Sequence, residues 1–450
     1  MSDQQFKVFG DPDIFHDDSK PTTSAAEYRR VAMATMIGTT IEWYDFFIYA
    51  NVAALLFGRL FFSGLGDRAD LAAFATIGVS FFFRPLGAVA MGHIGDKYGR
   101  RIVLILTLVM MGVATALVGL LPTSAQIGIA APILLIGLRC LQGFSAGGEW
   151  GGAAMLAVEH APAGQRGKFG AYPQVGVPGG MLLAAGILAL LTNTLSKESF
   201  DSWGWRLPFL FSIVLIFIGQ YIRRRVAESP VFRELKEAKA YSKSPMIEVF
   251  KKNPKEILTA ALIFIGDNAL GYMLVGGFVL SFATATHKLE RGAVLNWVLV
   301  AAACWIVTTI GAAIWSDRIG RKKVFIIGYI VMAVLMFPIF LLINRPSLGS
   351  VAAGLIIMTI PLGLCYGPLP ALYAELFPAR IRLSGVSISY AIGAILGGAF
   401  APLIAQWLTQ TTGTVMAVAA YLFVISLVSL GASAIVKDHT NEPLHTTSGH

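Results

Sequence analysis

Between about Val31 and Val436 the chain repeats one pattern: a long apolar run, a short polar break, then another apolar run. About twelve such runs fall near 31–60, 71–94, 102–121, 130–156, 169–192, 205–222, 257–284, 293–315, 323–343, 350–374, 384–408 and 414–436, and most have the roughly 18 to 25 residues that a helix needs to cross hydrocarbon. We number them spans 1 to 12. They contain Gly- and Pro-rich stretches such as GGEWGGAAML and GVPGGMLLAAG, a composition that discourages buried strands but lets helices pack closely in lipid. The pattern therefore predicts an all-α membrane protein of twelve transmembrane helices rather than a β-barrel. Residues 1–30 read as a polar, disordered cytosolic tail. The first apolar run is too long for a cleavable signal and carries two acids.

The composition agrees, with 56% hydrophobic residues and 14% charged. The formal net charge of +9 could suggest a nucleic-acid partner, but its distribution argues otherwise. With the N-terminus placed in the cytosol, about 26 of the 35 Lys and Arg fall on that side, about 6 outside and about 3 within spans. The excess reports topology: both termini cytosolic in a multi-pass plasma-membrane protein, the bilayer its surroundings and no nucleic acid its partner. Cys140, Cys304 and Cys365 lie inside apolar runs without metal-ligand or redox spacing, so they read as packing residues. No metal or cofactor is expected, and the chain is expected to act as a monomer.

The basic stretch 223–256, between spans 6 and 7, divides the chain into an N-terminal half (31–222) and a C-terminal half (257–436), followed by a cytosolic tail at 437–450. Within it, SPVFRELKEAKAY has a Ser-Pro start and good helix formers, so it is read either as a short helix on the inner membrane face or as a solvated linker. The halves repeat. GHIGDKYGRRIVL after span 2 and AIWSDRIGRKKVF after span 8 share Asp, Gly three residues on, and consecutive basic residues. EHAPAGQRG after span 4 and ELFPARIRLSG after span 10 share Glu-x-x-Pro-x-x-x-Arg. The offsets, 221 residues from Asp96 to Asp317 and 216 from Glu159 to Glu375, nearly agree and keep the same order. Two six-helix halves in the same orientation imply a pseudo-two-fold axis along the membrane normal, a substrate site between the halves near the midplane, and alternating access by rocking.

GHIGDKYGRR, WSDRIGRKK and RCLQGFSAGGEWGG resemble the loop and span-4 signatures of the major facilitator superfamily. Within it, IEWYDFFIY, FFFRPLGA, GGEWGGAA and WGWRLPFLFS are similar to the metabolite:proton symporters over essentially all twelve spans. That resemblance implies a carrier that takes up, with a proton, either an organic acid of the citrate, oxoglutarate or shikimate kind or a zwitterion such as proline or betaine. The organic acid is the leading expectation. The zwitterion is the alternative, in which Trp43, Tyr44 or Trp150 would offer a cation–π surface. The short C-terminal tail lacks the heptads that osmosensing relatives append. No nucleotide loop, metal cluster or catalytic triad spacing supports an enzyme, and repeated gating loops suit a carrier better than a channel.

Charges inside spans are costly and need a partner, a wet cavity or a function. Glu42, Asp45 and Tyr49 are spaced to share one face of span 1, and Asp45 stands near the midplane. Asp45 is the leading proton-coupling candidate, with Glu42, Arg139 and Asp267 beside it. For Arg139 the suggestion of coupling through a neighbouring acid comes from the family resemblance. Arg84, also at mid-depth in span 2, could pair with Asp45 or bind a substrate carboxylate bidentately. Gln142, Glu149, Asn268 and Tyr272 join Arg84 as substrate-binding candidates, with Trp43, Trp150, Gln174, Tyr366 and Tyr390 weaker because aromatics and Gln are common in helix packing. Asp96, Arg100, Glu159, Arg166, Asp317, Arg321, Glu375 and Arg382 sit at span ends and are expected to form a cytosolic gate that holds the halves together and breaks on opening inward. Gly99 and Gly320 are expected to permit its tight turns.

Overall fold

A computed structural model of the chain describes residues 24–162, 164–238, 242, 244–275, 277–440 and 442–444. Most of the polar leader thus lies outside the described residues. Span 1 is Ala25–Val52, capped by the Ser24 side chain accepting from the backbone N–H of Glu27 at 3.2 Å. It continues through a π turn, Ala53–Phe57, into Gly58–Phe61. Spans 2 to 6 are Ala69–Tyr98, Arg100–Leu120, Ala130–Glu159, Arg166–Thr194 and Arg206–Arg223. Span 7 is Pro254–Val275 with Phe278–Ala285, span 8 Arg291–Ile319 and span 9 Arg321–Ile343. Span 10 is Leu348–Tyr366 with Leu369–Leu376, span 11 Arg382–Ala394 with Ala401–Thr412 across a π turn, and span 12 Met416–Ile435. Among the described residues eleven helices are long and apolar enough to cross a membrane, and the bent first helix makes a twelfth.

Several spans run a few residues past the apolar windows toward the face where residues 24 and 444 lie, which we term the terminal face. The extra turns carry the charged motifs: Glu159 ends span 4, and Arg166, Arg321 and Arg382 begin spans 5, 9 and 11. Of the two readings of SPVFRELKEAKAY the helix is found, over Pro230–Glu237, with the Ser229 hydroxyl accepting from the N–H of Phe232.

Small residues set how closely the spans approach. A Cβ on Gly87 would lie 1.8 Å from the carbonyl oxygen of Phe144, one on Gly143 2.1 Å from that of Ser80, and one on Gly147 2.0 Å from that of Arg84. Spans 2 and 4 therefore touch backbone to backbone, which brings Ser80 and Arg84 up against Arg139 and Gln142. Gly147→Val is expected to lower the yield of monodisperse protein several-fold and its thermal midpoint in detergent by several degrees, because backbone cannot yield as a side chain can and overpacking costs about 1–3 kcal/mol or more. An unchanged midpoint would mean that this crossing is not tight.

Candidate functional site

Two cavities lie at mid-depth with Trp43 in the wall of both. The first, of about 310 Å3, belongs to the N-terminal half and is lined by Glu42, Ser80, Arg84, Arg139 and Gln142. The second, of about 300 Å3, is lined mainly from the C-terminal half by Asp267, Asn268, Tyr272, Trp305, Tyr366 and Tyr390. Arg84 is 7% exposed and forms no ion pair among the described residues. Its guanidinium stands over the Phe81 ring at 4.4 Å and near the rings of Trp43 and Phe46, both at 5.9 Å. Across the site Asp267 is 3% exposed and its Oδ1 has no hydrogen-bond partner. Asn268 donates to the carbonyl of Ala394 at 3.1 Å, tying span 7 to span 11.

Arg139 starts a polar chain running away from the first cavity. Its guanidinium donates to Gln142 Oε1 at 2.8 Å, to Ser80 Oγ at 3.1 Å and to the carbonyl of Thr76 at 3.3 Å, and lies 3.9 Å from the Tyr49 ring centroid. Gln142 Nε2 donates to Thr115 Oγ1 at 2.8 Å, and that hydroxyl reaches Asp45 Oδ2 at 2.9 Å. Ser212 donates to Asp45 Oδ1 at 2.6 Å. Asp45 is fully buried, with hydroxyls on both carboxylate oxygens and, among the described residues, no cation in ion-pairing range.

Toward the terminal face the halves close over the cavities. Trp150 stacks on Tyr390 at 3.8 Å and 9°, and Tyr390 stacks in turn on Phe264 at 4.6 Å. Trp150 Nε1 donates to Gln174 Oε1 at 2.6 Å, and Gln174 Nε2 to the carbonyl of Tyr366 at 2.7 Å. Beneath this layer are two matched charge clusters. Asp96 accepts from the N–H groups of Leu383 and Ser384 at 3.1 and 2.8 Å, so an acid of the N-terminal half holds the N-terminus of span 11. Asp317 accepts from Gly167 and Lys168 at 2.8 and 2.9 Å, the same arrangement with the halves exchanged. Glu159 is bound by Arg100 Nε at 3.2 Å and by Arg382 Nη1 at 3.2 Å, while Glu375 is met by Arg321 at 3.4 Å and Arg166 at 3.5 Å. Gly99 and Gly320 adopt φ of 116° and 99°, so the two turns do need glycine.

The polar segments that follow each half seal these clusters. Glu228 accepts from the N–H groups of Arg100 and Arg101 at 3.0 and 3.2 Å, at the start of span 3. Burial pushes its carboxyl above the ordinary glutamate range despite those donors. Thr440 accepts from the N–H of Arg321 at 3.0 Å at the start of span 9. The carbonyls of Glu442 and Leu444 accept from Arg166 and Arg382, both at 2.7 Å.

The profile of the sugar (and other) transporter family matches residues 31–244 and 231–435. The chain belongs to this family. Among relatives, the inner membrane metabolite transport protein YhjE of Escherichia coli K12 is 38% identical over 95% of this chain and 98% of its own length. The shikimate transporter of the same organism is 38% identical over 93% and 96%. The proline/betaine transporter of Salmonella typhimurium LT2 is 33% identical over 92% of this chain and 85% of its own length. The proton:xylose symporter XylE bound to 6-bromo-6-deoxy-D-glucose superposes with a TM-score of 0.77 over 94% of this chain at 16% identity, which shows the fold. An inward open XylE from E. coli gives 0.65 over 93%. The protein is thus a major facilitator of the metabolite:proton symporter type, a transporter and not an enzyme.

Seen as a transporter, the chain places several of its candidate residues differently from the sequence reading. Asp45 does not look into the space between the halves, and Arg84 is not its partner. Three residues along a helix leave the side chain about 60° short of a full circle. That offset sends Glu42 into the cavity with Arg84 and Asp45 into the groove between spans 3 and 6. Glu149 lies in neither mid-depth cavity and pairs with Arg223. Trp150 and Gln174 bind each other and span the halves in the closing layer rather than lining either cavity. Gln142 and Arg139, Asn268, Tyr272 and Tyr366 do line the cavities. The residues missed were Thr115, Ser212, Arg223, Glu228, Thr440, Glu442 and Leu444. Only Arg223, in the run of three arginines ending span 6, carried a sequence signal.

Proposed function

We propose that this transporter takes up a small organic acid together with a proton across the bacterial inner membrane, by alternating access, with the terminal face in the cytosol. The observation that carries the substrate class is Arg84: a buried guanidinium in a mid-depth cavity, with no carboxylate of the protein paired to it, is a ready partner for a substrate carboxylate. Asn268, Tyr272 and Tyr366 across the site could meet hydroxyls or a second polar group. For the proton, the chain Arg139, Gln142, Thr115, Asp45 joins the cavity to a buried carboxylate and lets the two communicate without direct contact. The Asp96, Glu159, Asp317 and Glu375 clusters act as the cytosolic gate, here closed.

A zwitterion is the second reading, and Asp267 favours it. A buried carboxylate oxygen without a partner, in a cavity walled by Trp43, Tyr272, Trp305, Tyr366 and Tyr390, suits a cationic nitrogen. Uptake into proteoliposomes of labelled shikimate, citrate, 2-oxoglutarate, proline and glycine betaine, with and without an inward proton gradient, separates the readings. Gradient-driven accumulation of an acid, lost in Arg84→Lys because an ammonium cannot make the bidentate pair, is the expected result. Accumulation of betaine or proline and of no acid would overturn it in favour of the zwitterion.

A further inference from the structure

Glu42 faces two spaces. Besides the mid-depth cavity it lines a small enclosed cavity of about 180 Å3 inside the N-terminal half, walled also by Thr107, Leu108, Met111, Ser145 and Glu149. On its far side Glu149 is fully occupied. Arg223 donates to both of its carboxylate oxygens, and the Thr107 hydroxyl donates to Oε2. Glu42 is not: it is 7% exposed, belongs to no ion pair among the described residues, and its Oε2 has no hydrogen-bond partner. The charged groups packed around the pair are Arg223 from span 6, already committed to Glu149, Arg84 from span 2, held against Phe81, and Asp45 from span 1 itself, bonded to Thr115 and Ser212. Of the two guanidinium groups beside the pair only Arg223 is bonded to a carboxylate, while Arg84 is held over Phe81 in the other cavity, so Glu42 meets Glu149 across this space with no donor on its Oε2, and a buried ion without a bonded partner costs several kcal/mol.

We propose that Glu42 and Glu149 share a single proton across this cavity, forming a proton site in the N-terminal half separate from Asp45. The proton is an O–H on one carboxyl group, hydrogen-bonded to the other directly or through one water between them. It balances the second carboxylate while Arg223 balances the first. Glu149 stands about 15 Å along the helix from Glu159 of the gate, and Arg223 is the last residue of span 6. Through Glu42 the site borders the central cavity, and Glu149 and Arg223 set it to the side of the Trp150 layer. This inference rests on the proton-coupled reading and gives that reading a second place to hold the proton.

Infrared difference spectroscopy of the full chain in lipid nanodiscs at neutral pH, in H2O and D2O, tests it without a substrate. Wild type is expected to show a protonated-carboxyl band that is lost in Glu42→Gln and equally in Glu149→Gln, since either change leaves one carboxylate facing Arg223. The Glu42→Gln/Glu149→Gln double variant is expected to lose no more than either single one, and Glu149→Asp to keep the band. Asp45→Asn should leave it in place. A band that survives Glu149→Gln, two different bands removed by the two single changes, or no band removed by Glu42→Gln would overturn the proposal. If Glu149→Gln does not fold, persistence of the band in Glu42→Gln is by itself enough to overturn it, and its loss there together with retention in Glu149→Asp supports it. Should the bands behave as expected while no compound in the uptake panel follows the proton gradient, the coupling reading falls and the proton site stands.

Discussion

Asp45→Asn is expected to abolish uphill accumulation, by about 10²-fold or more, while exchange of substrate for substrate across a membrane without a gradient continues. The substitution keeps the size of the side chain in a fully buried site and removes only its ability to ionise. Thr115 and Ser212 can each turn a hydroxyl to donate or accept, so the pocket still closes around an amide and the fold survives. On the proposed coupling, what disappears is the carboxyl proton at the end of the chain from Arg139 through Gln142 and Thr115. Counterflow and gradient-driven uptake, measured in the same proteoliposomes, check this. Gradient-driven uptake at the wild-type rate in Asp45→Asn would remove Asp45 from the coupling mechanism, and loss of exchange as well would assign it a structural role.

The second large effect is expected at the gate. Glu159 lies between Arg100 and Arg382, one from each half, and all three side chains are fully buried in the closed state. Glu159→Gln leaves two buried guanidinium groups facing each other over a neutral amide, a loss of about 3–5 kcal/mol that applies only while the halves are together. With the face open, both arginines reach water and the change costs little. The closed-to-open ratio should therefore fall by about 10²- to 10³-fold, and a carrier that must close to complete its cycle should lose accumulation. A cysteine at Ser387, 1% exposed at the contact between spans 4 and 11, reads this directly in a background lacking Cys140, Cys304 and Cys365. Labelling from the terminal side is expected to be slow with Glu159 present and at least about tenfold faster in Glu159→Gln. Equal rates would mean that the triad does not hold this face shut. Glu375→Gln should act in the same direction but less strongly, since Arg321 and Arg166 approach it only to 3.4 and 3.5 Å.

The gate is also where the sequence was most informative. Each motif copy carries its own acid and base at short spacing, so repetition alone marked Asp96, Glu159, Asp317 and Glu375 as one system, and the structure brings them together at one face. Repetition did not reveal that each Asp binds the N-terminus of a helix in the opposite half, because a backbone N–H leaves no mark in residue identity. Nor did it reveal that Thr440, Glu442 and Leu444 meet Arg321, Arg166 and Arg382, since carbonyl and hydroxyl acceptors are common to many sequences.

The same division runs through the molecule. Span number, the two-half repeat and the identity of the charges that must be sheltered follow from the sequence by itself, because the cost of placing a polar group in hydrocarbon is a property of the residue and of the length of the run around it. Which charge finds which partner does not follow. Glu42 and Asp45 differ by three positions, and only the packing of spans 1, 2, 3, 4 and 6 decided that one faces Arg84 and Glu149 while the other is enclosed by Thr115 and Ser212. The pairing energy depends on distance and on the exclusion of water between helices remote in sequence, and the crossing of spans 2 and 4 at Gly87, Gly143 and Gly147 sets the first of these.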